Sequence, residues 1–197
     1  MADETLFSVL MQGVFIENLI LMQFLGLCPF IGVTKDTKSS AGMSLAVIFV
    51  VTIASVVTYL IYTFLLEPMG LQFLRIISFI VVIASLVQLV EFVLRKKSPA
   101  IYRSLGIYLP LIVTNCAILG SVLLNIRAGY DFTQSVTFGL AAGIGFTLVL
   151  LIMAGIRERS SLVHVHSSVK GVPHAFFFAT LLSMAFVNYF EVIPLGG

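Results

Sequence analysis

Six long apolar stretches, separated by short polar or proline- and glycine-bearing junctions, divide the chain. They fall at Leu6–Leu27, Gly42–Leu66, Leu71–Leu94, Ile101–Leu124, Phe132–Ile156 and Pro173–Ile193. A helix of ~20 residues spans the roughly 30 Å hydrocarbon layer of a bilayer, so each stretch predicts one crossing. The junctions carry the residues that interrupt helices: Pro68-Met69-Gly70, Ser98-Pro99, Gly129, Gly171 to Pro173, and Pro194. No connecting segment has the length of a soluble domain. The expected fold is all-α and integral to the membrane, with six transmembrane helices in a single domain over residues 1–197.

Composition points the same way. The chain is 59% hydrophobic and 10% charged, far more apolar than a soluble core of 197 residues requires. Two cysteines and no tryptophan exclude a disulfide-rich secreted scaffold. Asp3 and Glu4 stand where a signal peptide carries its basic residues, so no cleavable leader is expected.

The cations then suggest an orientation. Lys35 and Lys38 follow the first stretch, Arg95, Lys96, Lys97 and Arg103 the third, and Arg157, Arg159 and Lys170 the fifth. Arg75 and Arg127 lie on the other side. Nine of eleven basic residues thus share alternate junctions, which the positive-inside rule assigns to the cytoplasm. Both termini are expected outside.

Residues 1–98 and 99–197 each hold three stretches, and each half opens with an interrupted, cysteine-bearing one. Three crossings per half would invert the second relative to the first. Inverted repeats with broken helices place sites deep in the bilayer, where the repeats meet.

Chemistry concentrates at the two interruptions. The first is Phe24–Val33 (FLGLCPFIGV), where Pro29 follows Cys28. A helix starting at Pro29 would make Cys28 its cap and surround the sulfur with free N–H groups, a setting suited to thiolate chemistry. Cys116 lies in a similar setting after Pro110. Cys28 is seven residues from Lys35 and Cys116 thirteen from Arg103, about 10 and about 20 Å along helices. Both thiols are therefore expected inside hydrocarbon, near a common region. As plain residues they serve equally as small apolar filler. Metal ligation is the sharper alternative, but two thiolates are half of what a [2Fe–2S] centre takes. A stand-alone inverted-repeat transporter is the competing function class. It would more typically carry a charged cluster at its midplane, where Thr114, Asn115 and the thiols stand here.

The runs Phe24–Val33, Arg95–Leu124 (RKKSPAIYRSLGIYLPLIVTNCAILGSVLL) and Gly143–Arg159 (GIGFTLVLLIMAGIRER) closely resemble the A-type subunit of the Rnf electron-transport complexes. The resemblance covers nearly the whole chain. The E-type subunit of the sodium-pumping NADH:quinone reductase is the next most similar, and Thr114-Asn115-Cys116 looks more like the Rnf version. The resemblance implies a membrane subunit of a ferredoxin:NAD oxidoreductase in a bacterial or archaeal inner membrane, not catalytic alone. It implies that Cys28 and Cys116 join two cysteines of a homologous, oppositely oriented E-type Rnf subunit to hold one [2Fe–2S] cluster. Electrons crossing there would be coupled to Na⁺ or H⁺ movement in a complex that also contains the B-, C-, D- and G-type subunits. At Glu17-Asn18 the chain departs from the asparagine pair expected of the family, so no role is carried to Glu17.

Other residues invite plainer expectations. Glu91 has Arg95 one turn later, as in a structural ion pair near the interface. Gly139-Leu-Ala-Ala-Gly143 offers a small-residue face for close helix packing. His164, His166 and His174 lack carboxylate or thiol company and read as a solvated loop with its helix start.

Overall fold

The computed structural model describes residues 6–34, 37–69, 74–97, 111–112, 115–161 and 171–191. Every element among them is helical. Helix α1 (Leu6–Met11) runs into a π-helical turn (Gln12–Ile16), and a seven-residue α2 (Leu27–Val33) follows. Helix α3 (Thr37–Ile61) is prolonged by a second π-helical turn (Tyr62–Leu66) and by α4 (Glu67–Met69). Then come α5 (Arg75–Lys97), α6 (Cys116–Ala128), α7 (Phe132–Ser161) and α8 (Val172–Glu191).

Two helices, Thr37–Leu66 and Phe132–Ser160, are long and apolar enough to cross a membrane. Leu6–Ile16, Arg75–Leu89, Cys116–Ala128 and Val172–Phe186 are apolar but shorter. Where the sequence predicts six crossings, the described residues thus supply two full-length candidates and four shorter helices. The stretch predicted at Ile101–Leu124 enters the description chiefly through its second half, as α6. A belt of exposed apolar side chains, among them Leu45, Phe49, Phe64, Ile77, Phe92 and Phe177, covers the outside. So broad an apolar exterior suits lipid rather than water.

The first stretch departs most from expectation. Its helix stops at Ile16, well before Pro29. Glu17 closes the π-helical turn with its N–H on the Gln12 carbonyl at 2.7 Å. Residues 17–26 then form no helix, and Phe24 and Gly26 adopt positive φ angles of 53° and 83°. Left-handed backbone is routine for glycine and costly for phenylalanine, so Phe24 must be held there by its surroundings. Asn18 supplies much of that hold. It is 1% exposed, donates from Nδ2 to the carbonyls of Val14 (3.1 Å) and Gly145 (3.2 Å), and accepts the N–H of Ile20 at 3.2 Å. Ser183 on α8 donates to the Leu21 carbonyl at 2.6 Å. The backbone groups freed by the break are thus met by Asn18 from within the segment and by Ser183 from a distant helix, as a segment in an apolar setting requires.

The long helices α3 and α7 pack against each other at the centre, and the glycines of the small-residue face explain how. A Cβ on Gly143 would lie 2.9 Å from the Ile48 Cα, and one on Gly139 3.0 Å from the Ser55 Cβ. The next glycine of α7, Gly145, faces the first π-helical turn instead, where a Cβ would stand 2.8 Å from the Val14 carbonyl oxygen. Close backbone approach of this kind replaces the hydrophobic drive that helices lack in lipid. Val47, Val51, Phe138, Phe146 and Leu150 fill the core around the seam. Helix α6 leans on α3, with Asn125 Nδ2 donating to Ser55 Oγ at 3.4 Å. It ends at Gly129 (φ 69°), whose N–H bonds the Ile126 carbonyl while Tyr130 bonds that of Asn125. That is a Schellman ending at the expected junction.

Candidate functional site

Each cysteine sits in the first turn of a short helix. In α2 the cap is Gly26, followed by Leu27, Cys28 and Pro29, and the Phe30 N–H makes the first intrahelical bond, to the Gly26 carbonyl at 3.2 Å. The expected arrangement, with Cys28 as cap and Pro29 as first residue, is therefore displaced by two positions. Proline is still accommodated, because none of the first N–H groups of a helix has an intrahelical partner to lose. In α6 the cap is Asn115, whose Oδ1 accepts the Ala117 N–H at 3.1 Å, and Cys116 is the first helical residue.

The two motifs meet. The Gly26 N–H donates to Cys116 Sγ at 2.9 Å, across 90 residues of sequence. Gly26 also lies against the α6 start, where a Cβ would approach Ala117 Cβ at 3.1 Å and Asn115 Oδ1 at 3.4 Å. Both thiols are free. Within the chain Cys116 is half-buried and Cys28 lies exposed on its surface. Asn115 is 4% exposed, and its Nδ2 has no hydrogen-bond partner among the described residues.

From the other end, α7 holds α2 in place. Arg157 Nη1 donates to the Ile31 carbonyl at 2.8 Å and to Thr34 Oγ1 at 2.7 Å. Thr34 Oγ1 in turn donates to the Phe30 carbonyl at 2.6 Å. A cation at a helix C-terminus meets both the open carbonyls and the negative end of the dipole.

Two soft thiol donors in adjoining first turns suit a thiophilic metal. They do not complete one. Among the described residues no group of three or more His, Cys, Asp or Glu could hold a metal ion. A [2Fe–2S] centre takes four ligands, so the donor set fits half of one, with Cys28 open to an outside contributor.

The remaining candidates are scattered. Glu17 is half-buried at the end of the first π-helical turn, and Glu91 is half-buried on α5. The Arg95 side chain, Thr114, His164 and His166 lie outside the described structure. His174 lies in the first turn of α8, 2.9 Å from Ser160 Oγ and edge-on to the Phe178 ring at 4.7 Å. Sequence reasoning missed the roles of Gly26 and Arg157, and named Asn18 only as the neighbour of the departure at Glu17. An asparagine inside an apolar stretch was the available signal, since intramembrane polar groups are costly unless paired.

The family model described as "Rnf-Nqr subunit, membrane protein" matches residues 6–193. The chain is 63% identical over 193 residues to the A-type subunit of the ion-translocating oxidoreductase complex of Methanosarcina acetivorans, covering 98% of this chain and 97% of that one. It is 46% identical over 187 residues to the protein of the same name from Vibrio cholerae, covering 95% and 97%. With the A-type subunit of the Na(+)-translocating ferredoxin:NAD(+) oxidoreductase complex of Acetobacterium woodii it shares 44% over 185 residues, 94% and 96% of the two chains.

Proposed function

The chain belongs to the Rnf-Nqr family of membrane subunits, and on that premise we propose that it is the A-type subunit of an Rnf-type ferredoxin:NAD oxidoreductase complex. Its relatives carry the name of subunits of ion-translocating oxidoreductase complexes, so it acts as part of an assembly. In this reading Cys28 and Cys116 supply two of the four thiolates of a [2Fe–2S] cluster, and the homologous E-type subunit supplies the others. The cluster, when bound, takes up and releases one electron. The B-, C-, D- and G-type subunits complete the assembly, and Na⁺ or H⁺ is the coupled ion.

The observation that carries this reading is the Gly26 N–H on Cys116 Sγ at 2.9 Å. It brings two helix starts from opposite halves of the chain to one place, with a thiol in each. The rest of this chain's part is architectural. Arg157 anchors the carboxyl end of α2 and Asn115 caps α6, so both cysteines are presented on fixed turns. Exposure of Cys28 leaves a face on which a partner can bring further ligands.

The packing also supports two inverted three-helix repeats. Helix α1 of the first half lies on α7 of the second, and α6 of the second lies on α3 of the first. Each half thus leans its broken segment on the other's long helix, as an exchange-symmetric pair does. We place six crossings in the cytoplasmic membrane, with both termini outside.

Cys28→Ser and Cys116→Ser in the whole complex test the reading. Serine nearly preserves volume but is a poor iron ligand beside thiolate. Each variant should insert and assemble normally, yet lose the cysteine-dependent EPR signal and ferredoxin-driven NAD reduction. Full turnover at normal complex levels in either variant would overturn the assignment.

A further inference from the structure

Helices α7 and α8 leave an open groove of about 780 Å³ between them. Its apolar part is made by Ile152, Gly155 and Ile156 of α7 and by Phe178 of α8. Its polar part is made by Arg159 and Ser160, further along α7, and by His174 in the first turn of α8. Ile152, Gly155, Ile156 and Arg159 recur at intervals of three and four, so one stripe of α7 forms a wall. Gly155 hollows that wall, since a Cβ there would meet nothing within 4 Å.

The polar end has hydrogens to offer. Arg159 is exposed and makes no hydrogen bond or ion pair among the described residues. The adjacent Glu158 is turned to α3, where its Oε2 accepts the Thr37 hydroxyl at 2.6 Å. Ser160 Oγ and His174 Nε2 stand 2.9 Å apart. Whichever of the two donates, the pair keeps one O–H or N–H for a ligand.

Polarity therefore changes along the groove, from a cation to plain hydrocarbon. Arg159 and Ile152 are seven residues apart, about 10 Å along α7. An amphiphile with an anionic head and an apolar chain has the same profile. On α8 the neighbouring Phe176, Phe177 and Leu181 are exposed, so the groove belongs to the apolar exterior suited to lipid.

We infer that this groove binds one anionic phospholipid. Its phosphate lies on Arg159 with the Ser160–His174 pair beside it, and an acyl chain follows Ile152, Gly155, Ile156 and Phe178. In the proposed topology the site faces the cytoplasmic leaflet, where basic residues meet anionic headgroups. The inference needs the chain's place in a membrane and not the cluster reading, so either can fail alone.

Native mass spectrometry of the delipidated whole complex, titrated with phosphatidylglycerol or phosphatidylcholine, tests it. Gly155→Leu fills the groove, and Arg159→Gln removes the cation. Wild type should bind one more phosphatidylglycerol than the Gly155→Leu variant. Arg159→Gln should weaken that molecule's binding about fivefold, the worth of one basic residue at a membrane surface. Phosphatidylcholine should bind the site more weakly, and excess inorganic phosphate should leave the lipid count unchanged. Equal counts in wild type and both variants would overturn the proposal, whether the groove stands empty or a partner subunit fills it. Equal binding of the two lipids, or no effect of Arg159→Gln, would overturn the anionic headgroup. Displacement by phosphate would mean that the site takes a free anion, and would overturn the lipid. Ile152→Trp fills the groove from an exposed position should Gly155→Leu fail to assemble, and Arg159→Gln, on an exposed side chain, decides the headgroup contact in either case.

Discussion

Arg157, near the end of α7, donates to the Ile31 carbonyl at 2.8 Å and so ties the second half of the chain to the helix that carries Cys28. The same guanidinium nitrogen reaches Thr34 Oγ1 at 2.7 Å. Arg157→Ala should therefore cost on the order of 1.5–3 kcal/mol, the range for hydrogen bonds to a charged group. For a chain of this size that is a fall of roughly 5 °C in the thermal midpoint. Arg157→Lys keeps the charge without the planar fork and should lose less. A thermal midpoint unmoved by both substitutions would show that the tie contributes nothing.

Asn18 holds the non-helical segment in a comparable way. Removing its side chain in Asn18→Ala should destabilise by about 1–3 kcal/mol, since buried backbone groups lose their partners. Asn18→Asp should be worse. Its carboxylate has no hydrogen to offer the Val14 and Gly145 carbonyls, and a buried charge beside two oxygens is costly. Denaturation of the purified complex ranks the two; aspartate as the milder change would contradict the bonding pattern.

The glycines of α7 allow an internal control. Gly143→Ala and Gly145→Ala would place a methyl 2.9 and 2.8 Å from backbone atoms of Ile48 and Val14, respectively. Overpacking of that kind typically costs about 1–3 kcal/mol. Gly155→Ala meets nothing within 4 Å and should gain roughly 0.5–1 kcal/mol of helix propensity. Equal thermal midpoints for all three would remove the close approach of helices from the account.

The proposed topology is tested by reporter fusions. A reporter at Gly197 should report the outside, and one near Ser98 the cytoplasm, because the basic residues cluster on alternate junctions. A cytoplasmic carboxyl terminus would reverse the orientation and remove the inverted relation of the halves.

Helix positions were legible in the sequence because an apolar run needs no knowledge of its neighbours. The boundary at Gly129 follows from local chemistry in the same way, whereas α7 runs to Ser161, five residues past the expected Ile156. The first break was legible in kind but not in place. Pro29 and the adjoining glycines announced it, yet the helix already ends at Ile16, in a segment where Asn18 finds an acceptor 127 residues away on Gly145. No local rule contains that bond. The cysteines stood out as residues, and family resemblance paired them, but Gly26 as the donor between them depends on a contact spanning 90 residues. Arg157 was readable as a charge near a membrane surface. Its service to α2 became visible only with α7 beside that helix.

The seam between α3 and α7 also constrains how the protein can move. Alternating-access carriers work by rocking one repeat against the other about a central site. Here the two halves meet where Gly139 and Gly143 admit α3 almost to backbone contact, a fit that opposes sliding at the seam. The pair of long helices behaves as one beam. The non-helical turn at residues 17–26 is moored to this beam by Asn18, on the Gly145 carbonyl of α7, and to α8 by Ser183.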